Sequence, residues 1–179
     1  MISTPRSPQV VVIGTALSGI ALGVLVGLLW WVITPTEQWI KLDGGLGAAD
    51  LNSSAWFAAD GWFLILGVAG GLVLTAVTWV WVRQNPISVV VGLIVGSALL
   101  AVVAWSLGGL LGPADPKDAA ASLAVGATVD GSLGLRAMGV LAAPTVAAMA
   151  LVALLIALAP VREDLQPAVP DAEGVPATF

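Results

Sequence analysis

The chain of 179 residues contains no cysteine, no histidine and no tyrosine. Without cysteine it has no disulfide, no thiolate nucleophile and no sulfur ligand for a metal. Without histidine it has no imidazole base, no imidazole metal ligand and no histidine-ligated haem. These absences exclude several common kinds of catalytic and metal-binding centre. They also mean that the cysteine count carries no information on the redox compartment.

Charged residues are scarce as well, at 9% of the chain against 59% hydrophobic residues. An average soluble domain has ~25% charged residues. A soluble core of this size could not bury so much apolar surface, so we expect a lipid bilayer to cover it. Six Lys and Arg residues against eleven Asp and Glu give a formal net charge of -5. Nucleic-acid binding requires clustered bases, so we expect no nucleic-acid partner.

Two charge-free runs stand at the centre of the chain, at 62–82 and 87–111. Each exceeds the ~20 residues that a helix needs to cross ~30 Å of hydrocarbon. The short joint between them, Arg83 to Pro86, supplies a charge, two amides and a proline, so the chain must leave the membrane there and return at once. The pattern predicts a transmembrane helical hairpin.

Two further runs predict a first span at 10–32 and a fourth at 135–159, so the fold class is an all-α integral membrane protein with four transmembrane helices. A cleaved signal peptide is the alternative for the first run. The hydrophobic region of such a peptide normally has only ~7–15 residues, so an uncleaved span fits better. In the fourth run, Pro144 should kink the helix because its nitrogen cannot donate to the carbonyl one turn back.

The polar remainder predicts two outer loops, 33–61 and 112–134, which hold a little β structure and a short helix. Residues 37–42 alternate imperfectly before Asp43-Gly44, which is typical of a short strand or hairpin, although an irregular loop fits equally well. Asp60 suits the N-cap of the second span.

In the second loop, Asp115-Pro116 before an alanine run predicts an N-cap and a short helix, and 124–134 predicts extended chain and turns. Beyond the spans we expect a cytoplasmic tail at 1–9 and a disordered, Pro- and acid-rich cytoplasmic tail at 161–179.

The orientation depends on the position of the few bases. With both termini in the cytoplasm, three bases lie inside and three outside, so counting alone does not decide. The inside bases lie close to span ends, whereas two of the outside bases, Lys41 and Lys117, lie farther out in longer loops, where the bias weakens. We therefore expect a multi-pass plasma (inner) membrane protein with cytoplasmic termini.

Small residues recur every four positions along the predicted spans. In lipid, helices associate mainly through close backbone approach over such ridges. The ridges therefore pack the four helices against each other, or one of them faces a partner in a membrane protein complex. The candidate helix-packing residues are Gly19, Gly23, Gly27, Gly67, Gly71, Gly92, Gly96 and Gly108.

Arg136 is a base at a span edge without an obvious neighbour in sequence. A guanidinium near the interface can reach toward the headgroups at low cost. We expect it to form an outer-face ion pair with Asp60 or Asp130. Contact with a lipid phosphate is the open alternative.

No ionisable residue lies in the middle of any predicted span, so the usual signature of a proton relay or ion pathway is missing. The intramembrane hydroxyls are expected to bond to their own helix. Nothing in the sequence sets the separation of the outer carboxylates (Asp50, Asp60, Asp115, Asp118 and Asp130), and no histidine is available as a base. We therefore predict no catalytic residue, no cofactor and no metal site.

Several short segments carry a family resemblance. They are Ala59-Asp60-Gly61-Trp62-Phe63-Leu64, Trp79-Val80-Trp81-Val82-Arg83, Ala104-Trp105-Ser106-Leu107-Gly108 and Leu133-Gly134-Leu135-Arg136-Ala137. Together they resemble an actinobacterial family of four-pass integral membrane proteins of unknown function, over roughly 10–160. The resemblance implies a plasma-membrane location and a cell-envelope context, and it brings no activity or catalytic residue with it.

Three functions fit these observations. The first is a structural or accessory subunit of a larger inner-membrane or cell-envelope assembly. This hypothesis agrees best with the small-residue ridges and the lack of reactive groups. The alternative is a small carrier or channel for an uncharged or lipidic substrate, with Pro144 as its flexible point. An enzyme that acts through the loop aspartates is the third hypothesis, and the sequence favours a protein that is not an enzyme.

Overall fold

The computed structural model describes residues 7–50, 54–81, 86–120 and 122–158. The predicted tails, apart from residues 7–9, and residues 83–85 of the predicted joint lie outside the described residues. The elements, in chain order, are α1 (Pro8–Ile33), β1 (Gln38–Leu42), β2 (Gly45–Ala48), α2 (Ala55–Trp81), α3 (Pro86–Leu111), α4 (Pro116–Ala120), β3 (Thr128–Asp130), a 3-10 helix (Met138–Ala142) and α5 (Ala143–Ala157).

Among the described residues, four helices are long and apolar enough to cross a membrane: α1, α2, α3, and the 3-10 helix together with α5. The prediction of four hydrophobic helices is confirmed at this level. At ~1.5 Å per residue, α1 and α3 are each about 39 Å long. The 3-10 helix rises ~2.0 Å per residue, so it and α5 together reach about 32 Å, close to the ~30 Å thickness of the hydrocarbon layer.

Pro144 begins a helix instead of kinking one. It lies within the first two residues of α5, and the preceding residues form the 3-10 helix. A proline fits this position because the first N–H groups of an α-helix have no partner within it. The predicted kink within a continuous fourth span is therefore wrong. Arg136 precedes the 3-10 helix, so it does not lie in the first turn of the span either.

The second hydrophobic helix starts earlier than the sequence predicted. α2 begins at Ala55, so Asp60 lies in its second turn and the N-cap role predicted for Asp60 is wrong. The charge-free run begins only after this aspartate, which is why the pattern placed the start of the helix there. As shown below, the Asp60 carboxylate binds the backbone of a different segment.

Helices α1 and α3 form the central pair of the bundle. Trp30 packs at the end of the bundle that faces the two long loops. Trp30 is fully buried, and its indole Nε1 donates a hydrogen bond of 2.9 Å to the carbonyl of Ala59 in α2. Its ring meets Phe63 edge to face, with 5.1 Å between centroids, and covers Gly108 of α3. One side chain thus joins three helices, since a buried indole needs a hydrogen-bond partner as well as apolar neighbours.

The two long loops share one antiparallel sheet of strand order β2-β1-β3. β1 pairs with β2 across the turn at Asp43-Gly44, and with β3 through Gln38↔Asp130 and Ile40↔Thr128. The strand or hairpin interpretation of 37–42 is confirmed. So is the short helix, α4, whose predicted N-cap Asp115 accepts a 2.9 Å hydrogen bond from the backbone N–H of Lys117.

Candidate functional site

The two loops form one folded unit at one end of the bundle, described at residues 34–50, 54, 112–120 and 122–137, which we call the head. Beyond the strand register, the N–H of Gly131 donates to the carbonyl of Glu37 at 2.6 Å, and the N–H of Lys41 donates to the carbonyl of Ala127 at 2.9 Å. The pairing therefore runs along the whole of β1. A head fixed in this way holds side chains from distant parts of the sequence in a set geometry.

The segment between β3 and the 3-10 helix is extended, and its side chains are buried and exposed in alternation. Leu133 and Leu135 are buried in the same apolar cluster as Trp30 and Phe63. Ser132, Gly134 and Arg136 are exposed. This period of two is typical of extended backbone, where successive side chains point to opposite sides. The segment seals the end of the bundle with its leucines and turns Arg136 outward.

Arg136 lies where the head meets the bundle. Its guanidinium Nη2 binds both carboxylate oxygens of Glu37, at 2.8 and 2.9 Å. The Arg136 side chain is 52% exposed and that of Glu37 is 17% exposed. The backbone N–H groups of Arg136 and Ala137 donate to the two carboxylate oxygens of Asp60, each at 3.0 Å. We call Glu37, Asp60 and Arg136 the latch.

The latch differs in part from the predicted ion pair. The structure brings Asp60 and Arg136 together, but the Asp60 oxygens accept from main-chain donors, and Glu37 forms the salt bridge. Asp130 lies in β3 opposite Gln38, and its proposed pairing with Arg136 stays a prediction. Sequence reasoning missed Glu37 because it precedes Arg136 by 99 residues. The available signal was that the predicted spans put Glu37 in a loop at the same end of the bundle as Arg136.

A cavity of about 660 Å³ opens in the head beside the latch. Its polar lining includes two acids, Glu37 and Asp115, and two bases, Lys117 and Arg136. Both acids already accept hydrogen bonds from the protein, Glu37 from the Arg136 guanidinium and Asp115 from the Lys117 backbone. Leu46, Leu133 and Leu135 are among its apolar lining residues. The cavity suits a ligand or partner that combines polar and apolar groups.

The glycines of the predicted ridges lie between helices of the bundle. A Cβ on Gly19 would overlap the backbone of Gly96, and one on Gly23 would lie 2.8 Å from the carbonyl oxygen of Leu100. In the same way, Gly27 lies against Ala104, Gly92 and Gly96 lie against Thr15, Gly108 lies against the Trp30 ring, and Gly67 and Gly71 lie against Pro144. The α1 and α3 ridges therefore face one another, and the α2 ridge receives α5.

Hydroxyl groups inside the bundle mostly bond within their own helix, as predicted. Thr15, Thr75 and Thr78 donate to the carbonyls four residues earlier, at 2.8 to 2.9 Å. Ser97 is fully buried, and its oxygen lies 2.9 Å from the Thr145 hydroxyl in a hydrogen bond between α3 and α5. These groups satisfy each other or the backbone, which favours a structural role.

Within the described ranges, no group of three or more acidic side chains is placed to hold a metal ion. Two of the aspartates that the sequence analysis considered, Asp60 and Asp115, accept hydrogen bonds from backbone N–H groups. No known protein family, no curated protein and no solved structure matches the chain, so its resemblance to the actinobacterial four-pass family stays a prediction.

Proposed function

We propose that the protein is a structural or accessory subunit of a larger assembly in the plasma membrane or cell envelope, and that its head is the part that docks. The observation that carries the proposal is an apolar tip on a head that is fixed in place. Leu42 ends β1 and is 50% exposed, and Val125 is 60% exposed. Their neighbours are in contact, since the N–H of Gly126 donates to the carbonyl of Lys41 at 2.8 Å.

The tip lies away from the bundle along the sheet. β1 rises ~3.3 Å per residue, so Leu42 lies about 13 Å along the strand from Gln38, which follows the latch residue Glu37. Leu42 and Val125 form a small apolar surface outside the hydrocarbon layer, which is a candidate contact surface for another protein. The intramembrane ridges, in contrast, already serve contacts within the bundle, which leaves the head as the better candidate for an interface.

Co-purification tests the docking proposal. Extracted in mild detergent, the wild-type chain should bring a partner at fixed stoichiometry. Leu42→Asp should lower the recovery of that partner about tenfold, because a carboxylate would be desolvated at the centre of an apolar contact. Ala49→Asp is the matched control, since it adds the same charge at another exposed head position and should leave recovery unchanged. A wild-type chain that always runs alone would contradict the proposal.

A carrier or channel for an uncharged or lipidic substrate has less support. Pro144 was to be its flexible point, but this residue is buried against Gly67 and Gly71 at the start of a helix. The backbones of α1 and α3 approach too closely at Gly19 and Gly96 for a solute to pass between those two helices. The accessory role needs no such passage.

The proposal places the head outside the cell and both termini in the cytoplasm. Its support is the position of the bases in the sequence and the meeting of both long loops at one end of the bundle. Because the chain has no cysteine, single cysteines can report sidedness without background. Lys117→Cys should react with a membrane-impermeant thiol reagent on intact cells, and Gln84→Cys should react only after lysis. The opposite pattern would invert the orientation.

A further inference from the structure

Three tryptophans on the outer surface of the bundle carry hydrogen-bond donors that the protein does not use. They are Trp31 of α1, Trp62 of α2 and Trp105 of α3, and each side chain is 36 to 42% exposed. Within the part of the chain that the structure describes, none of their indole N–H groups has a hydrogen-bond partner. Trp30 differs from them, because its buried indole N–H donates to the carbonyl of Ala59.

The three exposed indoles lie at nearly one level of the bundle. The Trp30 ring contacts Phe63 and Gly108, so these three residues mark one level on α1, α2 and α3. On α1 and α2 the exposed tryptophan is the immediate neighbour of the marker residue. On α3, Trp105 precedes Gly108 by three residues, which is ~4.5 Å along the helix. The indoles therefore come from three different helices within roughly one helical turn of height.

An indole without a protein partner restricts the surroundings in which these side chains are stable. Hydrocarbon offers no acceptor for the N–H group, so an unpaired donor there is costly. Bulk water supplies acceptors but leaves the large apolar ring in water. The interfacial layer of a bilayer combines lipid and water oxygens with nearby hydrocarbon, and tryptophan is enriched in that layer. The three indoles are therefore suited to the interfacial layer.

Two other features agree with a membrane surface at this level. The first is the latch, since the N–H of Arg136 donates to Asp60, two residues before Trp62, which places charged groups just above the level of the three indoles. The second is Trp79 near the opposite end of α2, which is half-buried and whose N–H also has no partner among the described residues. Trp62 and Trp79 are about 26 Å apart along the helix, close to the ~30 Å thickness of the hydrocarbon layer.

We propose that Trp31, Trp62 and Trp105 form a belt that binds the interfacial layer of the bilayer on the head side and fixes the depth of the bundle. Their N–H groups donate to lipid and water oxygens of that layer, and their rings pack against the upper ends of the acyl chains. Phe57, which is 80% exposed, lies about 7.5 Å above the belt along α2, among the headgroups. This inference rests on the membrane location that the proposed function assumes, and not on the docking of the tip.

Spin labels at single cysteines measure this depth in the full chain, which has no cysteine of its own. In vesicles of dioleoyl-phosphatidylcholine, three exposed positions of α2 are compared: Phe57→Cys above the belt, Ile65→Cys just below it and Val73→Cys near the bilayer centre. The ratio of label collisions with oxygen to those with a polar nickel chelate should be lowest at 57, intermediate at 65 and at least about tenfold higher at 73 than at 57, because hydrocarbon excludes the chelate.

Two results would contradict different parts of this account. Equal ratios at 57 and 65, with a high ratio at 73, would overturn the belt while leaving the membrane location intact. A ratio at 73 as low as that at 57 would show that α2 does not cross the bilayer, and would overturn the membrane location itself.

A triple variant tests whether the N–H groups set the depth. Phenylalanine keeps an apolar ring but removes the donor, in the variant Trp31→Phe, Trp62→Phe and Trp105→Phe. The apolar helices continue above the belt, so without it the head end should sink, and the ratio at Phe57→Cys should rise roughly threefold while that at Val73→Cys stays high. Trp30→Phe is the control, because its N–H binds the protein, and it should leave the ratio at 57 unchanged. An unchanged ratio in the triple variant, or an equal rise in the control, would overturn the role of the belt.

Discussion

Replacing Gly19 by alanine should lower the free energy of unfolding in detergent by about 3 kcal/mol, the upper part of the usual range for overpacking. The added methyl group would overlap the backbone of Gly96. A backbone cannot rotate aside as a side chain can, so α1 and α3 would have to separate along their whole contact. At ~2–4 °C per kcal/mol for a chain of this size, the midpoint of thermal unfolding should fall by about 6–12 °C.

Gly14→Ala on the same helix is the matched control. A Cβ at Gly14 meets nothing within 4 Å, so this change should leave the midpoint unchanged or raise it slightly, because alanine favours the helix by up to ~1 kcal/mol. The measurement is thermal unfolding in one detergent, followed by tryptophan fluorescence. If both alanines shift the midpoint equally, close backbone contact at Gly19 is not what stabilises the pair.

Asp60→Ala should be the more damaging of two substitutions in the latch, with a cost of about 2–3 kcal/mol. It removes both acceptors of the Arg136 and Ala137 N–H groups. Hydrogen bonds to a charged partner contribute ~1.5–3 kcal/mol each, and partial exposure reduces their sum. Arg136→Gln removes only a half-exposed salt bridge, a type of interaction that usually contributes ~0.2–1 kcal/mol.

The same geometry predicts which charge reversals restore stability. Asp60→Arg cannot repair Arg136→Asp, because the Asp60 carboxylate serves backbone donors that a guanidinium cannot satisfy. Glu37→Arg should restore part of the loss, because Glu37 is the side-chain partner of Arg136. Thermal unfolding of the two double variants checks this. Rescue by Asp60→Arg with none from Glu37→Arg would show that the ion pair runs to Asp60.

The hydrophobic helices could be predicted from the sequence because their signal is local. Runs without charge placed α1 and α3 to within two residues at each end. The start of α2 was missed because Asp60 interrupts the apolar run, although its carboxylate serves a distant backbone and does not end the helix. The start of α5 was missed because nothing in the local pattern distinguishes a 3-10 turn before Pro144 from a kinked α-helix.

The head shows more clearly which contacts cannot be predicted from local sequence patterns. The turn at Asp43-Gly44 and the cap at Asp115 follow from residue type and spacing. The pairing of β1 with β3 and the contact of Glu37 with Arg136 do not, because each joins segments separated by the central hairpin. The alternation of Leu133 and Leu135 with exposed neighbours was a usable signal for an extended, half-buried segment.

The pairing between β1 and β3 also sets an order of events during synthesis. The two strands lie roughly 90 residues apart, and a ribosome adds ~5–20 residues per second, so β1 waits on the order of 5–20 s for its partner. Throughout that interval one edge of the β1–β2 hairpin is open, and the segment that carries Arg136 has not been made. The head therefore closes only after the third hydrophobic helix is complete. A chain that stops before β3 displays an unpaired strand edge, a mark by which quality-control proteases can separate unfinished copies from finished ones.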